Sequence, residues 1–225
     1  MPGTASERGA AVQLPGGEFN AVPYESNAFA LTEPAHVAAV ARLFGLKVPD
    51  VTHARVLELG CASGGNIIPL AARWPEARFA GIDLSVRHVE MAREHIGSLG
   101  LTNVDIRQGD IGTIDLNGER FDYIICHGVY SWVPKSVRER ILAICSANLA
   151  DSGVACVSYN VLPGWHMRRV VRDLFTFHTG TTGTPQQRIA KSRWLLDKVA
   201  ATGADETPYR QLLRHEAKLL AKQTD

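Results

Sequence analysis

No stretch of this sequence is apolar for long enough to cross a bilayer, and its start, MPGTASERGAAVQLPGG, lacks the basic lead and apolar run of a secretion signal. Neither sign of charge dominates. The 24 Lys and Arg against 23 Asp and Glu leave a net charge of +1, so no strong field draws the chain onto nucleic acid or a membrane surface. Cysteine is scarce and scattered. Cys61, Cys126, Cys145 and Cys156 form no CxxC pair, and three lie in apolar runs, the pattern of buried free thiols in a reducing cytosol. The eight histidines contain no H-x3-H spacing, so no metal site is expected. Internal repeats are absent. What remains is a soluble, cytoplasmic, globular chain of 225 residues, 45% hydrophobic and 21% charged, enough for one full domain and part of another. Residues 1–20 read as a flexible arm.

What is there is an alternation. TEPAHVAAVARLFG predicts a helix, started by Thr-Glu-Pro and stopped by Gly45. ARVLELG, RFAGIDL, VDIRQGD, FDYIICHG and GVACVSYN read as five strands. Between them, the segment from Asn66 to Arg73 predicts a helix halted by WPE, and SVRHVEMAREHIGSLG predicts one capped by Ser85 and closed by glycine. SVRERILAICSANLA opens with the capping-box signature Ser136-x-x-Glu139, and DSG reads as the turn into strand five. Repeated strand–helix units require parallel strands, and helices on both faces make each strand apolar throughout. The expected fold is a doubly wound α/β sheet, with ligands beyond the carboxyl ends of the strands. After Asn160 the pattern turns helical. A cofactor-binding domain over 21–180 and the beginning of an all-helical module over 183–225 are expected.

The glycine-rich turn Gly60-Cys61-Ala62-Ser63-Gly64-Gly65 follows strand one directly and has little side-chain bulk. Backbone can then approach a ligand, and a helix N-terminus follows. Read as G-x-G-x-x-G, it carries alanine in the second glycine slot. A dinucleotide pyrophosphate, S-adenosylmethionine, or a ligand-free tight turn all suit that pattern. Glu58, just before the turn, would repel a pyrophosphate but help hold an ammonium or sulfonium. Alternatively it orients the loop. Asp83 ends strand two and can accept both hydroxyls of a ribose. It indicates a nucleoside without saying which. Asp110 ends strand three and either accepts from an adenine amine, with the Ile111 N–H beside it, or caps a turn after Gly109. Three acidic residues on three successive strand ends suit an adenosyl ligand with a cationic tail.

These residues carry a resemblance. VLELGCASGGN, GIDLS, the GD after strand three and FDYIICHGVYSWVP resemble class I S-adenosylmethionine-dependent methyltransferases, which have a Rossmann-like fold. YESNAFALTEPAHVAAVARLFGL, HGVYSWVP and VSYNVLPGWHMRRVVRD are similar to the bacterial subgroup with a methyltransferase regulatory domain, which includes protein lysine methyltransferases. The resemblance implies S-adenosyl-L-methionine as cofactor. It assigns Glu58, Gly60, Ala62 and Gly64 to the methionine end, Asp83 to the ribose and Asp110 to the adenine, with Cys61, Asn66, Leu84 and Ile111 among the other cofactor-binding residues. His127 and Gly128 would form the floor below the sulfonium, and Tyr24 would close over the carboxylate end. Two departures stand out: Ala62 replaces the family's glycine, and the final antiparallel strand pair is not found. A missing C-terminal region or a second chain is therefore an expected partner, beside the methyl acceptor.

Methyl transfer needs an acceptor lone pair in line with the S–CH₃ bond, and an amine must first lose its proton. His127, Tyr130, Tyr159 and Asn160 are the catalytic candidates. His127 serves as base or as cofactor floor, or merely bonds to backbone. Tyr130 and Trp132 form an aromatic wall for a cation or cap the sheet as packing residues. Tyr159 and Asn160 offer polar contacts to the acceptor or belong to the turn before LPGW. Asp83→Ala is expected to abolish cofactor binding and leave the fold intact. The rivals to a protein lysine methyltransferase are a small-molecule methyltransferase, a cofactor-binding but silent subunit, and a nicotinamide-dependent oxidoreductase.

Overall fold

A computed structural model describes residues 26–180, 182–202 and 207–222. Five strands form one sheet: β1 (Arg55–Leu59), β2 (Arg78–Asp83), β3 (Val104–Gln108), β4 (Phe121–Cys126) and β5 (Leu149–Val157). Their order is β3-β2-β1-β4-β5, and every neighbouring pair is parallel. The chain order reverses beside β1, so β1 and β4 diverge there and leave a crevice at their carboxyl ends. Helices α1 (Pro34–Leu43), α2 (Ile67–Arg73), α3 (Val86–Leu99) and α4 (Lys135–Asn148) connect and cover the strands.

Side-chain alternation explains the apolar strands. Val56, Phe79, Ile106, Tyr123 and Ile125 pack on one face with Ala38 of α1, Ile67, Ile68 and Ala71 of α2, and Val89 and Ala92 of α3. Leu57, Leu59, Ile82, Ile124 and Cys126 point the other way, onto Ile141 and Ile144 of α4. Each such buried aliphatic contributes about 1.5–3 kcal/mol. One amide ties up loose backbone on the first face. Asn103 Nδ2 lies 3.0 Å from each of the carbonyls of Ala71, Trp74 and Ala77, so its two N–H groups are shared among the backbone leaving α2.

Local signals decide the helix ends. Ser85 accepts from the His88 N–H at the start of α3, and Gly100 closes it in the left-handed conformation, as predicted. The expected capping box at Ser136 does not form. The helix starts at Lys135, two residues before the Val137 that a Ser136 cap would make first; Pro134 holds the cap position with no side-chain bond, and Ser136 falls inside the first turn. A capping box does form at Thr184 and Gln187, opening α6 (Pro185–Ala201). The predicted turn DSG lies inside β5. Leu149 already pairs with Phe121, and the register then shifts before Tyr123 meets Val154.

Beyond β5, α5 (His166–Thr179), α6 and α7 (Pro208–Lys222) share a small apolar cluster of Val171, Leu196, Ala200 and Leu213. Arg168 of α5 donates to Glu216 of α7 at 3.1 Å. Among the described residues, β5 has no strand on its outer side. No described helix is long and apolar enough to cross a membrane.

Candidate active site at the carboxyl ends of β1, β2 and β4

Glu58 sits on β1 between Gly81 of β2 and Ile125 of β4, and is 4% exposed. Its Oε1 accepts from Asn66 Nδ2 at 2.8 Å, whereas its Oε2 is buried with no partner. Burial pushes the carboxyl up to about 7, from an ordinary 4.5. The Asn66 bond opposes that rise, and the nearby Asp83 charge adds to it. A carboxylate kept this dry with one bare oxygen suits a cation.

The turn after β1 is held at both ends. Gly60 has φ +75°, and a Cβ there would run into Val129 of the β4–α4 loop, so only glycine lets the two loops meet. Its N–H and that of Cys61 donate to the Ile82 carbonyl at 2.8 and 3.1 Å. Cys61 turns its thiol inward against Gly81, where burial raises its pKa well above the ordinary value. Ala62 stands at φ +46°, the left-handed region that disfavours any side chain. Its N–H donates to Asp83 Oδ2 at 2.8 Å. Gly64 continues the turn, its N–H on the Cys61 carbonyl at 2.9 Å.

Asp83 at the end of β2 also accepts the Ser85 N–H on Oδ1 at 2.9 Å, and His88 Nδ1 lies 3.5 Å from the same oxygen. It therefore braces two turns at once, and its remaining lone pairs can still accept a diol. Leu84 follows, its carbonyl accepting from Gln108 Nε2 at 3.3 Å. Asp110 is exposed and forms a turn. Its Oδ1 accepts the Gly112 N–H at 2.7 Å, and its carbonyl accepts from Thr113 and Ile114. The Gly109 N–H, donating to the Asp83 carbonyl at 2.9 Å, keeps Asp110 beside the end of β2. Ile111 is buried in the core beneath.

On the β4 side, His127 is half-buried, and its Nδ1 is buried without a partner. Desolvation holds its pKa below the ordinary 6.5. Its ring lies 4.1 Å from that of Phe29, centroid to centroid. Gly128 donates to Ser158 Oγ at 3.0 Å, and the Asn160 N–H donates to Ser131 Oγ at 2.7 Å. Two serines thus sew the loop after β4 to the loop after β5 and bring Tyr130 within 6.1 Å of Tyr159. Trp132, half exposed, meets Trp165 edge-on at 5.6 Å, and Arg172 lies over it at 5.3 Å.

Three contributors escaped the sequence reading: Ser26, Phe29 and Thr32. Ser26 Oγ accepts the Gly65 N–H at 2.9 Å, and a Cβ at Gly65 would strike the Ser26 carbonyl. Their only prior signal was their nearness to Tyr24, which itself lies outside the described residues.

A parallel sheet of this order, a carboxylate with one bare oxygen before a tight turn, and acidic residues at or just past the ends of the next two strands are what was expected of a class I S-adenosylmethionine-dependent methyltransferase. The chain belongs to that family. Its residues 56–153 match the family described as Methyltransferase domain. Within the family it is similar to the uncharacterized protein RP789 of Rickettsia prowazekii, 47% identical over 208 residues. That match covers 92% of this chain and 38% of the relative. It is 35% identical to the uncharacterized protein RP028 of the same organism, over 92% of this chain and 83% of that one. Among solved structures it resembles PKMT2 from Rickettsia typhi in complex with AdoHcy, at 36% identity and a TM-score of 0.75. There the match covers 90% of this chain and 39% of that one. The chain therefore spans well under half the length of RP789 and of PKMT2.

Proposed function

We propose that this chain binds S-adenosyl-L-methionine and transfers its methyl group to an acceptor amine, with protein lysine as the acceptor class. The observation that carries the reading is the bare, buried Oε2 of Glu58 beside a turn built for close backbone approach. The similarity to PKMT2 with AdoHcy, and the resemblance to protein lysine methyltransferases, support it.

The bound cofactor would supply an electrophilic methyl on a sulfonium. Glu58 holds the cationic amino-acid end, while Gly60, Cys61, Ala62 and Gly64 offer backbone. Asp83 and Leu84 take the ribose, and Asp110 and Ile111 the adenine. His127 and Gly128 line the floor. Kept neutral by desolvation, His127 can accept the acceptor's proton at the unpartnered Nδ1. Tyr130 and Tyr159 flank the acceptor amine, and Asn160 orients it. The helices from 183 onward are read as the start of a regulatory-type module. A second chain or further sequence would cover the outer edge of β5, an unpaired row of backbone groups. Free, half-buried or buried thiols suit a reducing cytoplasm.

Calorimetry with AdoHcy, followed by tritiated-methyl labelling of a lysine peptide, tests the reading. Binding and labelling are the expected pair. Binding with no label on any protein or small amine supports a silent cofactor-holding subunit, which the uncovered edge of β5 favours. No AdoHcy affinity refutes both.

A further inference from the structure

Asn66 stands where a helix N-cap belongs, directly before α2, yet its side chain makes no capping bond. Asparagine is strongly preferred at that place because its oxygen can accept a free helix N–H. Here the side chain, 4% exposed, is engaged elsewhere. Its Oδ1 accepts the Phe29 N–H at 3.0 Å, and its Nδ2 donates to Glu58 Oε1 at 2.8 Å and to Thr32 Oγ1 at 3.1 Å. The Thr32 hydroxyl has one proton, and the shorter of its two options is the Phe29 carbonyl at 2.9 Å, against 3.3 Å to Asn66 Oδ1. The network also fixes which way the amide faces. Reversed, it would set its oxygen against a carboxylate and its NH₂ against a backbone N–H.

We infer that Asn66 is a positioning residue: it clamps one oxygen of Glu58 and the 26–32 segment together, leaving the other Glu58 oxygen to meet the cationic end of the cofactor. The inference rests on the cofactor reading above. Phe29 extends the clamp across the crevice, because its ring lies on His127. One amide therefore links β1, the segment before α1 and, through Phe29, the end of β4. Asn66 touches neither reacting atom. It acts through Glu58.

The first readout needs no ligand. Carbon-13 NMR of the side-chain carboxyls follows the Glu58 titration, assigned by its loss in Glu58→Gln. The Asn66 donor favours the ionised form, so removing it drives the Glu58 midpoint upward from near neutrality, by about one pH unit. Other groups face the same spot: Asp83 from β2, Cys61 from the turn and Cys126 from β4, with His88 of α3 behind Asp83. Burial keeps both thiols protonated here, Cys126 being pushed up to about 12. The Glu58→Gln chain measured in parallel separates the remainder.

The second readout is AdoHcy affinity. Asn66→Ala is expected to weaken it about fivefold at pH 7 and far less at pH 9, where Glu58 is ionised with or without the clamp. Asn66→Asp keeps the acceptor for the Phe29 N–H but adds a like charge beside Glu58. Circular dichroism checks the fold of each variant, and in Asn66→Asp the like charge must also raise the Glu58 midpoint. Thr32→Val, which removes the Thr32 partner of the Asn66 amide but not its bond to Glu58, should move that midpoint less than Asn66→Ala does. An unmoved Glu58 midpoint in both Asn66 variants, with AdoHcy still bound, overturns the inference alone. So does a loss of affinity equal at pH 7 and pH 9. No AdoHcy affinity in the unmutated chain overturns the cofactor reading, and the inference with it.

Discussion

Replacing Glu58 by Gln should remove a loss of stability that the chain suffers as pH rises to neutrality, while weakening its hold on AdoHcy. The folded carboxyl is pushed up to about 7, whereas an ordinary one titrates at 4.5. A folded pKa above the unfolded one means that the native state holds the proton more tightly. Its contribution is fully present below pH 4.5 and is lost as pH rises through 7. At about 1.4 kcal/mol per pH unit, that loss amounts to about 3 kcal/mol. Gln cannot ionise, so the difference in unfolding free energy between variant and wild type should shift by about 3 kcal/mol, in the variant's favour, from pH 4.5 to pH 8. Leaving one amide N–H unpaired in the Oε2 position costs a constant ~1–3 kcal/mol at every pH. Urea unfolding followed by tryptophan fluorescence, at pH intervals over that range, reads the difference directly. Titrating groups remote from Glu58 cancel because both chains carry them. AdoHcy affinity at pH 8 should fall about tenfold or more, the loss of one charged partner. Parallel stability curves for the two chains would refute the reasoning, because they would mean that Glu58 is neither dry nor short of a partner.

Three further outcomes are expected. Asp83→Ala should lose AdoHcy affinity by calorimetry and also fold less stably by about 2 kcal/mol, since two backbone N–H donors lose their acceptor; unchanged denaturant midpoints would deny the bracing role. Ala62→Gly should raise the melting temperature by about 2–4 °C, because relief of a left-handed alanine is worth about 1 kcal/mol; a lower melting temperature would show that the turn carries no such strain. Tyr159→Phe, at an exposed ring beside Tyr130, should leave AdoHcy affinity intact and slow methyl transfer to a lysine peptide; equal turnover would reduce Tyr159 to a packing residue.

β1, β2 and β4 were legible because a central parallel strand is largely apolar on both faces; β3, at the sheet edge, instead alternates buried Val104 and Ile106 with exposed Asp105 and Arg107, so it is not apolar throughout as expected. Ser85 and Gly100 were legible because their capping geometry is local. Ser136 misled because the helix already begins at Lys135, which puts Ser136 inside the first turn rather than at the cap. Asp83 was read for its ligand alone; its bonds to the Ala62 and Ser85 N–H groups add a second task, so Asp83→Ala is expected to cost stability as well as affinity. That task depends on a turn 21 residues away.

From composition and spacing alone came the alternating elements, the tight turn after β1 and the acidic residue closing each of three strands. Each is a statement about neighbours in the chain, and periodicity or steric demand expresses it directly. Tertiary structure alone decided that Glu58 has one oxygen bonded and one bare, that Asn66 forgoes capping to hold it, and that Ser26 and Phe29 lie over the site from 39 and 98 residues away. Those facts follow from which groups lose water together when the sheet closes. No local pattern records that, because the cost of a buried charge depends on the atoms that surround it in space.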